Sequence, residues 1–268
     1  VIRKSDHHYQ IGDEVNLDVA AVARYAVGVI GSGLMGTQIA EYLVQTGYPV
    51  ILKTRSRESI EGVISKIRKK LSKKLQEQEV ERCLEKLIVT TDYSDLDSVD
   101  IIIEASKEDL EVKKEIFSDL SKVCKPTTLF ATNSSSLSID ALAEVTDRPD
   151  RFIGLHFFNP VHRMDLVEVV IGTKTSDATK EFAITFANDL KKQPIIVKNS
   201  PGFIVNRLLL PQINEAIRLL GDGIASKEDI DSAIKLGLNH PMSPFELADF
   251  IGLDTCLSIL EVLHAGLG

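Results

Sequence analysis

Two titratable residues stand alone in apolar runs. His156 is the single polar member of Phe152-Ile153-Gly154-Leu155-His156-Phe157-Phe158, and Glu168 is equally isolated in Leu166-Val167-Glu168-Val169-Val170-Ile171. Both runs have the length and composition of buried strands. Burying either group by itself is costly. Facing one another, each offsets the other's cost, and such a pair can hold and tune a general base. The alternative for His156 is a satisfied structural histidine. A second polar cluster, Asn133-Ser134-Ser135-Ser136, follows the apolar strand Leu129-Phe130-Ala131-Thr132. The C-terminal edge of an open parallel sheet is where ligands bind, so this turn is a candidate site as well.

A third feature lies near the start of the chain. Val27-Gly28-Val29-Ile30 runs into Gly31-Ser32-Gly33-Leu34-Met35-Gly36, and an amphipathic segment follows at once. That pattern is strand, glycine turn, helix. Gly31 permits the tight turn, Gly33 lets a pyrophosphate approach the backbone, and Gly36 allows close packing of helix on strand. Free N–H groups at the helix N-terminus then receive the phosphates. A second apolar run, Tyr48 to Leu52, comes at βαβ spacing and supports dinucleotide binding over an unrelated glycine-rich turn.

The elements that must position these groups alternate through most of the chain. Further strands are expected at Leu87–Thr90, Ile101–Ala105 and Ile195–Val197, with helices at 60–75, 109–123 and 177–191. Asn199-Ser200-Pro201 reads as an N-cap with Pro at the first helical position, opening a helix through Leu220. Ser226-Lys227-Glu228-Asp229 starts another helix, 227–236. Pro241 and Pro244 read as loop punctuation, and a last helix covers about Leu253 to Leu263. Strands therefore stop near residue 198. The expected organisation is a leader or linker over 1–24, a nucleotide-binding α/β domain over 25–198 and an all-α domain over 199–268. The leader could instead be an arm that packs on a neighbour.

Composition narrows the function classes. The net charge of −8 argues against general nucleic-acid affinity. No apolar run approaches the ~20 residues of a membrane span, and no secretory signal is visible. Cys83, Cys124 and Cys256 lack metal-ligand spacing and read as reduced thiols of an intracellular, cytoplasmic protein, with an organelle matrix also compatible. No metal site is expected. Within this acidic chain, Lys66, Arg68, Lys69, Lys70, Lys73 and Lys74 form a basic helical face. Such a face is either solvated or holds an anionic substrate tail.

Several motifs together resemble the 3-hydroxyacyl-CoA dehydrogenase family: GLHFFNP at Gly154–Pro160, LVEVV at Leu166–Val170, NSPGFIVNR at Asn199–Arg207 and PFELADFIGLD at Pro244–Asp254. The similarity runs from about Ala26 to the C-terminus. It implies an α/β fold, a Rossmann-type doubly wound, mostly parallel sheet followed by a smaller all-α domain that carries a homodimer interface. It implies His156 as catalytic base, Glu168 as its partner, and Ser135 and Asn206 as residues orienting substrate and nicotinamide. Gly31, Ser32, Gly33, Leu34, Met35, Gly36, Ala105, Glu108, Lys113, Ser135 and Asn159 fall at cofactor positions. Lys66, Lys70 and Lys73 fall on the helix that meets the phosphates of an acyl-CoA substrate. Val161-His162-Arg163-Met164-Asp165 and Ser243 depart from the family pattern near the substrate cleft. The chain also ends where relatives continue, which suggests C-terminal incompleteness.

The resemblance implies hydride transfer between an (S)-3-hydroxyacyl-CoA, or a 3-oxoacyl-CoA such as acetoacetyl-CoA, and a nicotinamide. Two alternatives share the fold: a dehydrogenase of a sugar acid such as gulonate, and a catalytically silent nucleotide-binding protein. Retention of both His156 and Glu168 argues against silence, and the basic helix favours CoA over a sugar acid. Cofactor choice departs from the family. Thr54 stands where relatives carry the Asp that binds the ribose 2′-hydroxyl, with Arg55 and Arg57 beside it. Guanidinium groups suit a 2′-phosphate, so NADP is expected over NAD.

Overall fold

The computed structural model describes residues 25–268, so the leader reading lies outside the described residues. Eight strands form one sheet: β1 (Val27–Ile30), β2 (Val50–Lys53), β3 (Leu87–Thr90), β4 (Ile101–Glu104), β5 (Leu129–Thr132), β6 (Phe152–Phe157), β7 (Leu166–Ile171) and β8 (Gln193–Lys198). Their spatial order is β3-β2-β1-β4-β5-β6-β7-β8. β1 to β6 run parallel, β7 is antiparallel to β6, and β8 is parallel to β7. Central strands such as β1, β4 and β5 are buried along their whole length. This is why they read as unbroken apolar runs rather than alternating ones.

Helices cover both faces. α1 (Leu34–Gln45), α2 (Glu58–Leu71), α3 (Glu77–Leu84) and α6 (Asp177–Asp189) lie over one core; α4 (Leu110–Val123) and α5 (Ile139–Ala143) lie over the other. The strand order reverses where β1 sits between β2 and β4, so a crevice opens there above the strands' C-terminal ends. Beyond β8 only helices follow: α7 (Val205–Gly221), α8 (Lys227–Leu238), α9 (Pro244–Ile251) and α10 (Leu253–Leu267), with their own apolar clusters.

Three local readings change. The long helix begins at Val205 and not at Asn199, because Gly202 and Phe203 have φ of 68° and 52° and interrupt helical geometry. Asn199 does not cap that helix; its side chain bonds Asp140 and the Ile139 N–H. Pro244 is not loop but the first residue of α9. Ser243 caps it in a box with Glu246, a pattern present in the sequence as S-x-x-E. α3, unread from the sequence, is opened by a Gln76–Glu79 box.

Candidate active site

The register of β6 and β7 sets His156 directly opposite Glu168. Residues paired in this way project to the same face of the sheet. His156 Nδ1 lies 2.8 Å from Glu168 Oε2. The other carboxylate oxygen, Oε1, accepts the backbone N–H groups of Ile204 (3.0 Å) and Val205 (3.1 Å) at the start of α7. Burial pushes the Glu168 carboxyl up, but the hydrogen bond and charge of His156 and the two N–H donors outweigh it and hold the group below the ordinary glutamate range. Glu168 is therefore an acceptor, which places the proton of neutral His156 on Nδ1. Nε2 has no hydrogen-bond partner among the described residues. No buried side-chain nitrogen or oxygen lacks a partner there, so Nε2 is open to the cleft. Phe158 and Phe203 flank the ring at centroid distances of 4.4 and 5.7 Å.

The serine turn is built around a second carboxylate. Glu108 Oε1 accepts the Ser134 hydroxyl (2.5 Å) and the backbone N–H groups of Ser135 (2.8 Å) and Ser136 (3.2 Å). Asn206, the second residue of α7, donates its amide to the Ser135 carbonyl at 3.1 Å. The turn is thus held from the sheet side and from the helical side. Lys113 sits beneath it, 1% exposed, with Nζ 2.8 Å from both Glu104 oxygens and 3.4 Å from Glu108. Burial raises the Glu108 carboxyl, whereas Lys113 and the serine donors bring it below its usual range. The Lys113 ammonium is paired with Glu104 and lies next to Glu108, through which it adjoins the serine turn.

The glycine turn has the shape a dinucleotide requires. Gly31 has φ of 103°, and a Cβ there would stand 2.7 Å from the Ala105 carbonyl oxygen. A Cβ on Gly36 would stand 1.9 Å from the Gly31 carbonyl, so only glycine lets α1 lie this close to β1. Gly33 faces open space, and no side chain caps α1. The first N–H groups of the helix are therefore available to phosphate oxygens. These residues fit a dinucleotide.

Residues 26–200 match the family described as 3-hydroxyacyl-CoA dehydrogenase, NAD binding domain, and residues 202–268 match its C-terminal domain. The chain belongs to the 3-hydroxyacyl-CoA dehydrogenase family. The 3-hydroxybutyryl-CoA dehydrogenase of Clostridioides difficile is 46% identical over 247 residues, 90% of this chain and 88% of that protein. The mitochondrial hydroxyacyl-coenzyme A dehydrogenase of Homo sapiens is 46% identical over 249 residues, 89% of this chain and 79% of that protein. The crystal structure of (S)-3-hydroxybutyryl-CoA dehydrogenase from Ralstonia eutropha superposes with a TM-score of 0.87 at 43% identity, covering 90% of this chain and 87% of that one. The chain is thus an oxidoreductase of the NAD(P)-dependent 3-hydroxyacyl-CoA dehydrogenase class.

Within this dehydrogenase the basic helix is not one uniform face. Lys70 and Lys74 turn toward Glu41 on α1, at 3.6 and 3.3 Å. Arg68 is paired with Glu81 on α3. Lys66 and Lys69 instead line an open cleft of about 480 Å³ with Ser32, Ser59 and Gly62, next to the glycine turn. Lys73 is exposed. Lys70, expected on the helix face that meets CoA phosphates, stays about one-third exposed beside the buried Glu41.

At the end of β2, Thr54 is buried and its hydroxyl shares a 2.8 Å hydrogen bond with Ser32. This ties the second strand to the glycine turn. Arg55 and Arg57 are exposed. Asn159 accepts a hydrogen bond from Gln38 at 2.9 Å. Sequence reading missed Gln38, Glu104 and Phe203, and took Asn133 only as part of the polar turn. Glu104 is an isolated carboxylate ending an apolar strand, the same signal that marks Glu168. Asn133 accepts the Phe157 N–H at 2.9 Å and so fixes the end of β6. Phe203 carried no signal; only its place beside His156 exposes its role. Among the described residues no cluster suits a metal, and no single helix is long and apolar enough to cross a membrane.

Proposed function

We propose that this protein catalyses reversible hydride transfer between NADP(H) and an (S)-3-hydroxyacyl-CoA, with acetoacetyl-CoA as the oxidised substrate. The observation that carries the reading is a buried His156–Glu168 pair whose one free nitrogen, Nε2, opens to the cleft. When bound at the glycine turn, the nicotinamide supplies the acceptor or donor of the hydride. Nε2 of His156 takes the hydroxyl proton as the carbinol carbon is oxidised to the ketone, and returns it in the reducing direction. Glu168 orients the ring and stabilises its charged form. Ser135 and Asn206 hold the substrate beside it. Lys66, Lys70 and Lys73, with Lys69 beside Lys66 in the cleft, are the cations that attract CoA phosphates. Exposed apolar side chains on the helical half, among them Leu208, Leu236, Leu253 and Leu257, support a homodimer. The three cysteines are free, in keeping with a cytoplasmic, reducing location.

The NADP preference rests on Thr54 with Arg55 and Arg57. Charge-assisted hydrogen bonds contribute roughly 1.5–3 kcal/mol each, so two yield a preference of about a hundredfold or more. The test is kcat/KM for acetoacetyl-CoA with NADPH and with NADH. Arg55→Ala with Arg57→Ala should remove most of the preference through a raised KM for NADPH, and Thr54→Asp should favour NADH. A parent protein that prefers NADH would overturn the cofactor assignment. Failure to reduce any 3-oxoacyl-CoA would overturn the substrate assignment.

A further inference from the structure

Gln38 lies in the first half of α1, behind the glycine turn, and is 6% exposed. Its side chain spans two segments. Oε1 accepts the backbone N–H of Val161 at 2.9 Å, and Nε2 donates to Asn159 Oδ1 at 2.9 Å. The chain of donors runs in one direction. A backbone N–H can only donate, so the group of Gln38 that faces Val161 must be its oxygen. The group facing Asn159 must then be the amide NH₂, and Asn159 must answer with its oxygen. The Asn159 Nδ2 is left pointing the other way. It has no hydrogen-bond partner among the described residues, and no side-chain nitrogen there is buried unsatisfied, so it is open at the C-terminal edge of β6.

We infer that Gln38 is a positioning residue that fixes the Asn159 amide with its NH₂ toward the nicotinamide, so that Asn159 presents a donor to the carboxamide oxygen of the cofactor. The inference rests on the reading of Asn159 as a cofactor contact. Among the described residues Gln38 is the one side-chain partner of the Asn159 amide, so without it the protein no longer selects which end of that amide faces the cofactor. The loop is held independently. Lys192 donates to the carbonyls of Val161 (2.6 Å) and Met164 (3.0 Å) and lies over the Tyr42 ring at 4.1 Å. A change at Gln38 therefore acts on the amide and leaves the loop in place.

Gln38→Glu separates orientation from packing. The carboxylate is isosteric and still accepts from Val161, but it cannot donate to Asn159. The Asn159 NH₂ then turns to the carboxylate and its oxygen to the cofactor. The readout is fluorescence titration of NADPH and NADH, with 2′-phospho-ADP-ribose and ADP-ribose as probes that lack the nicotinamide. The reduced cofactors should bind about tenfold more weakly, as expected for one lost hydrogen bond facing an unpaired acceptor. The ADP-ribose probes should bind as to the parent. In an Asn159→Ala background, Gln38→Glu should have no further effect. If all four probes weaken together, or if the effect persists without Asn159, Gln38 acts on α1 and the inference is overturned. Unchanged NADPH and NADH binding overturns it too. If none of the four probes binds the parent, the cofactor reading itself fails.

Discussion

Two buried charge pairs, Lys113–Glu104 and His156–Glu168, face opposite fates. Lys113 and Glu104 on α4 and β4 saturate one another. The ammonium meets both oxygens of Glu104, and Glu108 stands close by. The remaining capacity of Glu104 is taken by Thr132 and Ser106. His156 and Glu168 start from the same premise, with a carboxylate as fully occupied, by Nδ1 and two backbone N–H groups. The imidazole, however, has a second nitrogen, and nothing among the described residues answers it. A closed pair can only support structure, whereas a pair with one open end can exchange a proton with a substrate. In the proposed mechanism that single open atom separates the pair that moves a proton from the pair that holds structure.

The division can be broken from each side. His156→Gln should lower turnover by roughly 10²–10⁴-fold, the span of a positioned acid–base group. Unfolding and the Kd for NADPH should stay close to the parent's. Turnover within a few-fold of the parent would remove His156 from the mechanism. Lys113→Met does the reverse. It leaves Glu104 charged and buried, which costs about 3–5 kcal/mol of stability, read by denaturant unfolding. Adding Glu104→Leu should restore most of that loss, because the two charges then vanish together. If Lys113→Met instead abolished turnover at unchanged stability, the closed pair would be part of the chemistry.

Glu168→Gln is a smaller perturbation. It leaves one oxygen where two served, so the Ile204 and Val205 N–H groups and the His156 Nδ1–H compete for it, and it removes the charge that stabilises imidazolium; turnover should fall about 10- to 100-fold. It also has a pH signature. The folded-state pKa of Glu168 lies below its ordinary value of 4.5, so its stabilisation is complete above that value and is lost as pH falls below it. In Glu168→Gln the acid limb of the unfolding free energy should be shallower. An identical limb would show that the ionised carboxylate contributes no net stability. The smallest effect is expected from Glu41→Gln, which releases Lys70 and Lys74. These lysines are about one-third exposed, so stability should change by less than about 1 kcal/mol. The KM for acetoacetyl-CoA should fall only at low ionic strength. A salt-independent change would mean that Glu41 shapes the cleft rather than its field.

Much of this arrangement was legible in the amino-acid order. The glycine turn, the apolar strands and the isolation of His156 and Glu168 are local patterns, and each follows from period, turn chemistry or the cost of a buried charge. The start of α9 at Pro244 is also a local signal, carried by the Ser243–Glu246 box that precedes and caps it. The break at Gly202 and Phe203 was different. It depends on a left-handed backbone at a non-glycine residue, which only the surrounding packing can enforce.

Tertiary structure alone decided which polar groups were already spent. A lysine on a helix face looks the same in sequence whether it meets solvent, Glu41 or a substrate phosphate. Lys66, Lys70 and Lys113 illustrate the three outcomes of exposure, pairing and burial. The partners of Lys70 and Lys113 come from other elements, 29 and 9 residues away, and their distances are set by helix packing that no local period encodes. The same holds for Gln38 and Asn159, 121 residues apart. Sequence determined that this chain folds as a dinucleotide-binding sheet carrying one histidine and one glutamate in adjacent strands. The antiparallel register of β6 and β7 and the docking of α7 decided that the two meet with one nitrogen left free, because hydrogen-bond satisfaction is a property of the assembled fold.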